Sequence, residues 1–363
     1  MPRHLSPPPP PATPNPFNTS AFYVSPVWRS RLDELTLGAS MAAATMRDVP
    51  VAFWVDKKAK LPELERLLAD ATAQLGPPLV QLVLYNLPNR DCDAASSNGE
   101  LCCSLIDDGS ECDRAAGGDC ADGIDDYLTN YVTPFANLLA TYSTVPAVII
   151  IEPDSLPNLV TNSLNPNCGA TTREAYKTGI AEAVRILSET APHATLYLDA
   201  GHGGWLGWDD NAKGFARLVC NLPGVTARLR GFSINVANYN TLGEAPCPAH
   251  EIKGRNRVVD YCRGAGRRHA CCEDPCSLLS SWNSGLTEIV YAQTLAKYAS
   301  TCFDPHIVID TSRNGQGHAG HSCTAWCNIR GTGAGNAPTT ATALPELIDA
   351  CTPRPGPIGR LES

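Results

Sequence analysis

The sequence predicts an α/β fold in which parallel strands form a β/α barrel, and three features support this prediction. Short apolar runs alternate with helical patterns along most of the chain, as strands and helices do around a parallel sheet. The run at residues 145–151 is apolar throughout, which is typical of a strand buried on both faces. Polar or aromatic residues follow several runs, and the carboxyl ends of barrel strands are where catalytic groups lie.

Six strands are predicted in chain order, at residues 51–55, 79–84, 145–151, 194–198, 229–234 and 306–309. Helices are predicted before and between them, at residues 21–46, 61–75, 123–142, 171–187, 213–220 and 286–300. The third strand ends before Pro153, because proline has no N–H to give to a sheet. This many alternating units indicate a barrel rather than a small open sheet.

Composition limits the function. The 363 residues suffice for one large barrel or two smaller domains, and a hydrophobic fraction of 43% can fill a core. With 28 basic and 37 acidic residues, the formal charge of −9 argues against a nucleic-acid partner. No apolar run is long enough to span a bilayer, so we expect no membrane partner either.

The 16 cysteines predict disulfides and an extracellular, secreted protein. A metal site is the weaker interpretation, because Cys102-Cys103 and Cys271-Cys272 are adjacent pairs rather than CxxC pairs. Residues 1–16 are a proline-rich linker. No signal peptide is visible before it, and we expect a signal peptide or binding module upstream.

Cysteines concentrate in two insertions, near residues 101–122 and 241–280. We interpret these as disulfide-linked loops that reshape a cleft, although surface decoration or an unspliced intron read as protein would give the same pattern. The catalytic domain predicted around them covers residues 17–350.

Asp154 is the first candidate catalytic residue, because it follows a buried strand directly. Apolar surroundings raise the pKa of a carboxyl group, as a general acid requires. The alternative is that Asp154 caps the next helix. The other predicted strand ends carry aromatic rings, carboxylates and amides, which suit a sugar site: Trp54, Tyr85, Asp199, Asn235 and Asp310. Individually, Trp54 or Tyr85 could be a core residue, and Asp199 a helix cap.

Several blocks, in order, resemble glycoside hydrolase family 6, the cellobiohydrolases and β-1,4-endoglucanases. YNLPNRDC at residues 85–92 is similar to the family's YDLPDRDC signature. IEPDSLPNLVTN at 151–162 and LDAGHGGWLGW at 198–208 are similar to two further signatures. Shorter blocks match at 235–240, 309–315 and 325–333.

The resemblance implies a distorted parallel β/α barrel of seven strands that hydrolyses β-1,4-glucan with inversion of configuration. Asp154 would be the proton donor, and Asp91 a second carboxyl group that raises the pKa of the acid. A β-glucan polysaccharide would be the partner of a monomer that needs no cofactor and no metal. Cys92 and Cys168 would form the family disulfide. The matching substrate-binding positions are Trp54, Asp56, Tyr85, Asp199, His202, Trp205, Asn238 and Trp326.

The carboxyl end departs from the family pattern. The family continues into a seventh strand followed by a Lys-Pro-Gly…Glu-x-Asp motif that carries the nominated base. Here residues 351–363 form an aberrant, proline-rich tail, which predicts that the last strand is missing. The base and the cysteine expected to pair with Cys327 would be missing as well. The chain as written would then be unstable or inactive, because the barrel would have unpaired edges.

Two rival functions follow. A non-catalytic glucan-binding or wall-associated protein would keep the aromatic cleft without hydrolysis, but it has no need of Asp91 and Asp154. A disulfide-rich structural protein of a wall or matrix would account for the prolines and cysteines, but not for the ordered signatures.

Overall fold

The computed structural model describes residues 14–19, 21–34, 46–94, 97–316, 323, 329 and 331–352. Within these ranges seven strands form one parallel sheet, in which each strand pairs with the next along the chain. The strands are β1 Phe53–Val55, β2 Val80–Leu84, β3 Ala147–Ile151, β4 Ala194–Asp199, β5 Gly231–Ile234, β6 His306–Asp310 and β7 Ile348–Thr352. The predicted class, a distorted parallel β/α barrel, is confirmed. In the described part of the chain, no helix has the length and apolar character needed to cross a bilayer.

Helices precede the sheet and connect its strands. They are α1 Pro26–Glu34, α2 Leu61–Ala73, α3 Ala121–Tyr127, α4 Thr133–Thr141, α5 Leu156–Thr161, α6 Ala170–Thr190, α7 Gly203–Leu206, α8 Asp209–Cys220, α9 Val258–Arg263 and α10 Glu288–Ala299. A π-helical turn, Leu128–Val132, joins α3 to α4. Short 3₁₀ turns lie at Lys58–Lys60, Pro166–Cys168 and Ala270–Cys272.

The two faces of the sheet belong to two separate cores, which explains the uninterrupted apolar run of β3. Ile149 and Ile151 pack in the larger core with residues of the helices, such as Ile180. Val148 and Ile150 point the other way, into a smaller core that holds side chains from β1, β2, β4, β6 and β7. Successive residues of a strand face opposite sides, so both faces of β3 had to be apolar.

The prediction that the seventh strand is missing is wrong. β7 pairs with β6 from Ile348 to Thr352, with a register shift after Ile307. The prolines begin only at Pro353, so five residues before them are free to pair. Cys351 and Thr352 therefore belong to the sheet and not to an aberrant tail, and the expected unpaired edge of β6 is covered. Residues 353–363, the rest of that predicted tail, lie outside the described residues.

A buried ion pair fixes β7 to the sheet. Asp349 accepts hydrogen bonds from Arg230 Nε at 2.6 Å and Nη2 at 2.7 Å, and from the hydroxyl of Tyr197 at 2.6 Å. Burial alone would raise the pKa of Asp349, but Arg230, His306 and Tyr197 outweigh it and lower this pKa to about 2. The strand is thus held by a charge-assisted contact between residues far apart in sequence.

The predicted start of the long first helix, at residue 21 of the range 21–46, is also wrong. Helix α1 begins at Pro26, and the chain before it is extended, with Phe22 bridging Leu79 next to β2. The Tyr23 N–H donates to the Leu79 carbonyl at 2.9 Å. This backbone N–H therefore bonds to the edge of the sheet instead of to a helix. Residues 35–45 lie outside the described residues.

The cysteines form seven disulfides in the described chain, so the disulfide interpretation is confirmed. Cys92 pairs with Cys168, as the resemblance implies. The first insertion contains the bridges Cys102–Cys112 and Cys103–Cys120. The second insertion contains Cys247–Cys271 and Cys262–Cys272, and its Cys276 pairs with Cys323 further along the chain. Cys220–Cys302 links α8 to the chain after α10.

Candidate active site

A tight turn after β3 presents Asp154. Glu152 and Asp154, on either side of Pro153, have φ values of 47° and 57°, in the left-handed region that residues other than glycine rarely adopt. The Asp154 N–H donates to Oδ2 of Asp199 at 3.1 Å, which holds the turn. Helix α5 has Ser155 at its N-cap and no side-chain cap, so the alternative that Asp154 caps it is wrong.

The Asp154 carboxyl group is half-buried, and in the described chain no protein group donates a hydrogen bond to it. Burial raises its pKa well above the usual range, and the nearby charges of Asp91 and Asp199 raise it further. A carboxyl group in this setting stays protonated at mildly acidic pH and keeps its proton available for a bound molecule.

Asp91 lies on the loop after β2, again with a left-handed backbone, at φ 54°. Its Oδ2 accepts hydrogen bonds from the Ser97 hydroxyl and from the Tyr85 hydroxyl, the latter at 3.3 Å. Burial raises the pKa of Asp91, whereas Ser97, Tyr85, Arg90 and Arg114 counteract that rise. Asp91 and Asp154 are therefore two carboxyl groups whose environments differ, since Asp91 has hydrogen-bond donors of its own.

Arg90 fixes the loop that carries Asp91, and sequence reasoning missed it. Its guanidinium donates to four main-chain carbonyls, those of Asp56, Tyr85, Ser97 and Asn98, at 2.6 to 3.1 Å. It also lies 4.1 Å from the centre of the Tyr85 ring. Only the position of this arginine next to Asp91 inside a matched signature could have pointed to it.

Glu152 joins the two carboxyl-bearing loops and was likewise missed. Its carboxylate accepts the N–H groups of Asn86 at 3.1 Å and Leu87 at 3.3 Å, and the hydroxyl of Tyr127 at 2.8 Å. Burial raises its pKa to about 7, although these hydrogen bonds lower it. Glu152 thus ties the turn of Asp154 to the chain that leads to Asp91. Glu288 on α10 resembles it, with a pKa also raised to about 7 by burial, and it accepts the Gly203 N–H at 2.8 Å.

Trp54 of β1 and Tyr85, just after β2, lie side by side. Their ring centres are 5.5 Å apart in an edge-to-face arrangement, and both residues belong to the smaller core. The core alternative therefore describes their burial correctly, while the Tyr85 hydroxyl still reaches Asp91. Asp56, just after β1, forms an ion pair with Lys60 at 2.7 Å.

Three of the remaining predicted positions, His202, Trp205 and Asn238, follow strands β4 and β5 in the chain. His202 and Trp205 are neighbours, with ring centres 6.0 Å apart, and Trp205 Nε1 donates to Thr161 of α5 at 2.7 Å. Asn238, on the loop after β5, has its side-chain oxygen occupied by the Tyr239 N–H at 2.8 Å. Trp326 lies outside the described residues.

Asp199 and Asp310 are buried and serve the backbone. Asp199 Oδ2 accepts the N–H groups of Asp154 and Gly201, both at 3.1 Å. Asp310 accepts those of Ala237 and Ser312, both at 2.7 Å. Asp199 and Asp310 therefore accept hydrogen bonds from the backbone, whereas the carboxyl group of Asp154 has no protein donor in the described chain.

Glycoside hydrolases use a pair of carboxyl groups, and in a β/α protein such groups lie at the carboxyl edge of the sheet, as Asp91 and Asp154 do here. The chain belongs to glycosyl hydrolases family 6, whose sequence profile matches residues 17–263 and 269–352.

Among its relatives, "Exoglucanase 3" of Agaricus bisporus is 36% identical over 335 residues, which cover 91% of this chain and 65% of that protein. "1,4-beta-D-glucan cellobiohydrolase C" of Emericella nidulans is 35% identical over 356 residues, covering 93% and 68%. The chain thus spans about two thirds of the length of these relatives. The solved structure of CcCel6C, a family 6 enzyme from Coprinopsis cinerea, matches with a TM-score of 0.72 and 31% identity, covering 94% of this chain and 85% of that one.

Proposed function

We propose that this protein hydrolyses β-1,4-glucosidic bonds of cellulose or a related glucan, with Asp154 as the proton donor. The observation that carries the proposal is the state of Asp154, a half-buried carboxyl group with a raised pKa and no protein donor in the described chain. Such a group can protonate the oxygen of a leaving sugar. The names of the relatives, exoglucanase and cellobiohydrolase, support the choice of substrate.

In the proposed reaction, Asp154 gives its proton to the glycosidic oxygen as the bond to the anomeric carbon breaks. Asp91 stabilises the positive charge that develops on the sugar ring, and its own charge keeps the pKa of Asp154 raised before the transfer. A water molecule attacks from the opposite face, so the new hydroxyl has the inverted, α configuration. Inverting enzymes need a base for this water. The family motif that carries the base follows the seventh strand, and residues 353–363 do not match that motif.

The wider assignment rests on the same site. We infer that residues 17–350, extended by the end of β7, form one catalytic domain that acts as a monomer outside the cell. Seven disulfides fit an oxidising compartment. The glucan-binding rival without catalysis is not favoured, because the relatives at 35% and 36% identity are named cellobiohydrolase and exoglucanase.

The test is the release of reducing ends from a soluble β-1,4-glucan by the full chain, with the product anomer followed by NMR. We expect α-anomeric product, and a rate lowered by about 10²- to 10⁴-fold in Asp154→Asn, the range that general acid catalysis contributes. Leu75→Ala, at a fully exposed position between α2 and β2, is the control and should behave like the parent. An Asp154→Asn protein that keeps the parental rate would disprove the assignment.

A further inference from the structure

Glu288, the first residue of α10, carries a buried carboxyl group that the proposed reaction does not use. Its side chain is 0% exposed, and burying a carboxyl group at this depth costs free energy. Oε1 accepts two hydrogen bonds, whereas Oε2 has no hydrogen-bond partner in the described chain. A neutral side chain would avoid this cost, so stability by itself gives no reason for a glutamate at this position.

The two hydrogen bonds of Glu288 go to two different loops. Oε1 accepts the N–H of Gly203, on the chain after β4, at 2.8 Å. The same oxygen accepts a hydrogen bond from Nδ2 of Asn240, on the chain after β5, at 3.0 Å. One carboxyl oxygen therefore joins the chain that follows β4 to the chain that follows β5.

Both partners of this carboxyl group lie beside residues that are predicted to bind substrate. Gly203 follows His202 directly, and Asn240 comes two residues after Asn238. The two loops also meet in space, because a Cβ atom at Gly204 would lie 3.2 Å from Nδ2 of Asn240 and 3.3 Å from Nδ1 of His202. The side chains of Asn240 and His202 are therefore neighbours in the folded chain.

The rest of the first turn of α10 bonds to the same two loops. The Glu288 N–H, which has no partner within its own helix, donates to the Thr241 carbonyl at 3.0 Å. The Tyr291 hydroxyl donates to the Ala200 carbonyl, on the chain after β4, at 2.6 Å. The amino end of α10 thus fixes both loops through its backbone as well as through its side chains.

Gly203 is held on both sides. Asn283 Nδ2 donates to the Gly203 carbonyl at 2.9 Å, while Glu288 accepts the Gly203 N–H. The backbone of residue 285 approaches so closely that a Cβ atom at Gly203 would lie 2.4 Å from the Gly285 carbonyl oxygen. The residue just before Gly203, His202, therefore has a fixed backbone on its carboxyl side.

The two candidate catalytic carboxyl groups are held by other residues. Asp199 accepts the N–H of Asp154 at 3.1 Å. Ser97 donates its hydroxyl to Asp91. In the described chain the Glu288 carboxylate hydrogen-bonds only to the loops after β4 and β5. A change at Glu288 should therefore affect substrate binding more than proton transfer.

We propose that Glu288 is a positioning residue, which holds His202 and Asn238 in place for substrate binding. It acts through their neighbours, Gly203 and Asn240, and it does not touch the substrate itself. Groups that bind a substrate need such support, because a small displacement of their side chains weakens the contacts that they make. This inference rests on the proposed function.

The test is steady-state hydrolysis of cellohexaose by the full chain, with kcat and KM determined separately. Glu288→Ala leaves two buried donors without their acceptor, so the loops shift. We expect KM to rise about tenfold, the equivalent of about 1.4 kcal/mol, with little change in kcat. Glu288→Gln should restore most of the affinity, because its side-chain oxygen can accept both hydrogen bonds. A merely structural role would lower the folded fraction, and hence kcat, without raising KM.

Thr294→Ala is the matched control. Thr294 is buried further along the same helix, and its hydroxyl donates to the Val290 carbonyl at 3.1 Å. Its replacement should lower the unfolding temperature without raising KM. An unchanged KM in Glu288→Ala, or a KM raised as much in Glu288→Gln as in Glu288→Ala, overturns the positioning role and leaves the hydrolase proposal intact.

Should Glu288→Ala not fold, Asn240→Ala decides, because it removes one of the two hydrogen bonds from the other side. An unchanged KM in Asn240→Ala overturns the positioning role. A parent chain that folds but releases no sugar from cellohexaose or from a soluble β-1,4-glucan refutes the proposed function, and the positioning role with it.

Discussion

At the scale of residues, the two candidate carboxyl groups differ in whether a protein group donates a hydrogen bond to them. Asp91 has donors from Ser97 and Tyr85, whereas the carboxyl group of Asp154 has none in the described chain. Because burial and the charge of Asp91 both raise the pKa of Asp154, the proton of the pair resides on Asp154. The difference assigns the proton without any knowledge of a substrate.

Replacing Asp91 by asparagine should shift the pH dependence of the reaction. Without the negative charge of Asp91, the pKa of Asp154 falls, and Asp154 loses its proton at lower pH. The basic limb of kcat/KM against pH should therefore move towards acid, along with a lower maximal rate. Asp304→Asn, an exposed change of the same charge before β6 at the amino edge of the sheet, is the control. A basic limb that stays in place in Asp91→Asn would contradict the coupling.

At the scale of elements, the carboxyl groups depend on loops that the sheet alone does not hold. Arg90 bonds to carbonyls after β1 and β2, and Glu152 bonds to N–H groups of the β2 loop. The Cys92–Cys168 disulfide links the residue next to Asp91 to the chain just before α6. Left-handed backbone at Asp91 and Asp154 persists because these contacts impose it.

Removing the Cys92–Cys168 bridge should cost more stability than removing a bridge of the first insertion. It closes a separation of 76 residues, against 10 for Cys102–Cys112, and longer loops lose more chain entropy when cross-linked. Changing Cys92 and Cys168 to serine should lower the free energy of unfolding by about 2–4 kcal/mol. Calorimetry of both double variants checks this, and a larger loss for Cys102–Cys112 would contradict it.

At the scale of the whole molecule, β7 completes the sheet and its inner core. Ala350 of β7 packs in the smaller core together with Trp54 and Tyr85, so the last strand supports these two rings. The buried pair of Asp349 and Arg230 connects β7 to the chain just before β5 across 119 residues. We therefore expect the site to depend on β7.

Asp349→Asn should destabilise the protein by about 3–5 kcal/mol near neutral pH, because Arg230 stays buried without its carboxylate. The pKa of Asp349 is lowered to about 2, so its contribution is present above its unfolded pKa. As pH falls from about 4 through about 2, the parent should lose this stability and the variant should not. Thermal unfolding against pH measures both.

Glu182→Gln is the control for this prediction, since it breaks an exposed pair with Arg185 and should change the free energy of unfolding by less than about 1 kcal/mol. If Asp349→Asn were no more destabilising than Glu182→Gln, the pair would not be what holds β7.

The alternation of strands and helices, the position of Asp154 at a strand end and the family signatures could all be predicted from the sequence. These are local patterns. The burial of β3 on both faces, for example, is indicated by its uninterrupted run of apolar residues. The position of β7 could not be predicted in this way, since the pairing of Ile348–Thr352 depends on Asp349 meeting Arg230 in space.

The contacts in the folded chain show which polar side chains bond to the backbone and which stay available for a ligand. Arg90, Glu152, Asp199 and Asp310 look like any polar residues near a strand end, and only their contacts show that they hold loops. The hydrogen bond between Gly203 and Glu288 is of the same kind, because it spans 85 residues. Contacts between distant residues are set by the folding of the whole chain, and no local pattern records them.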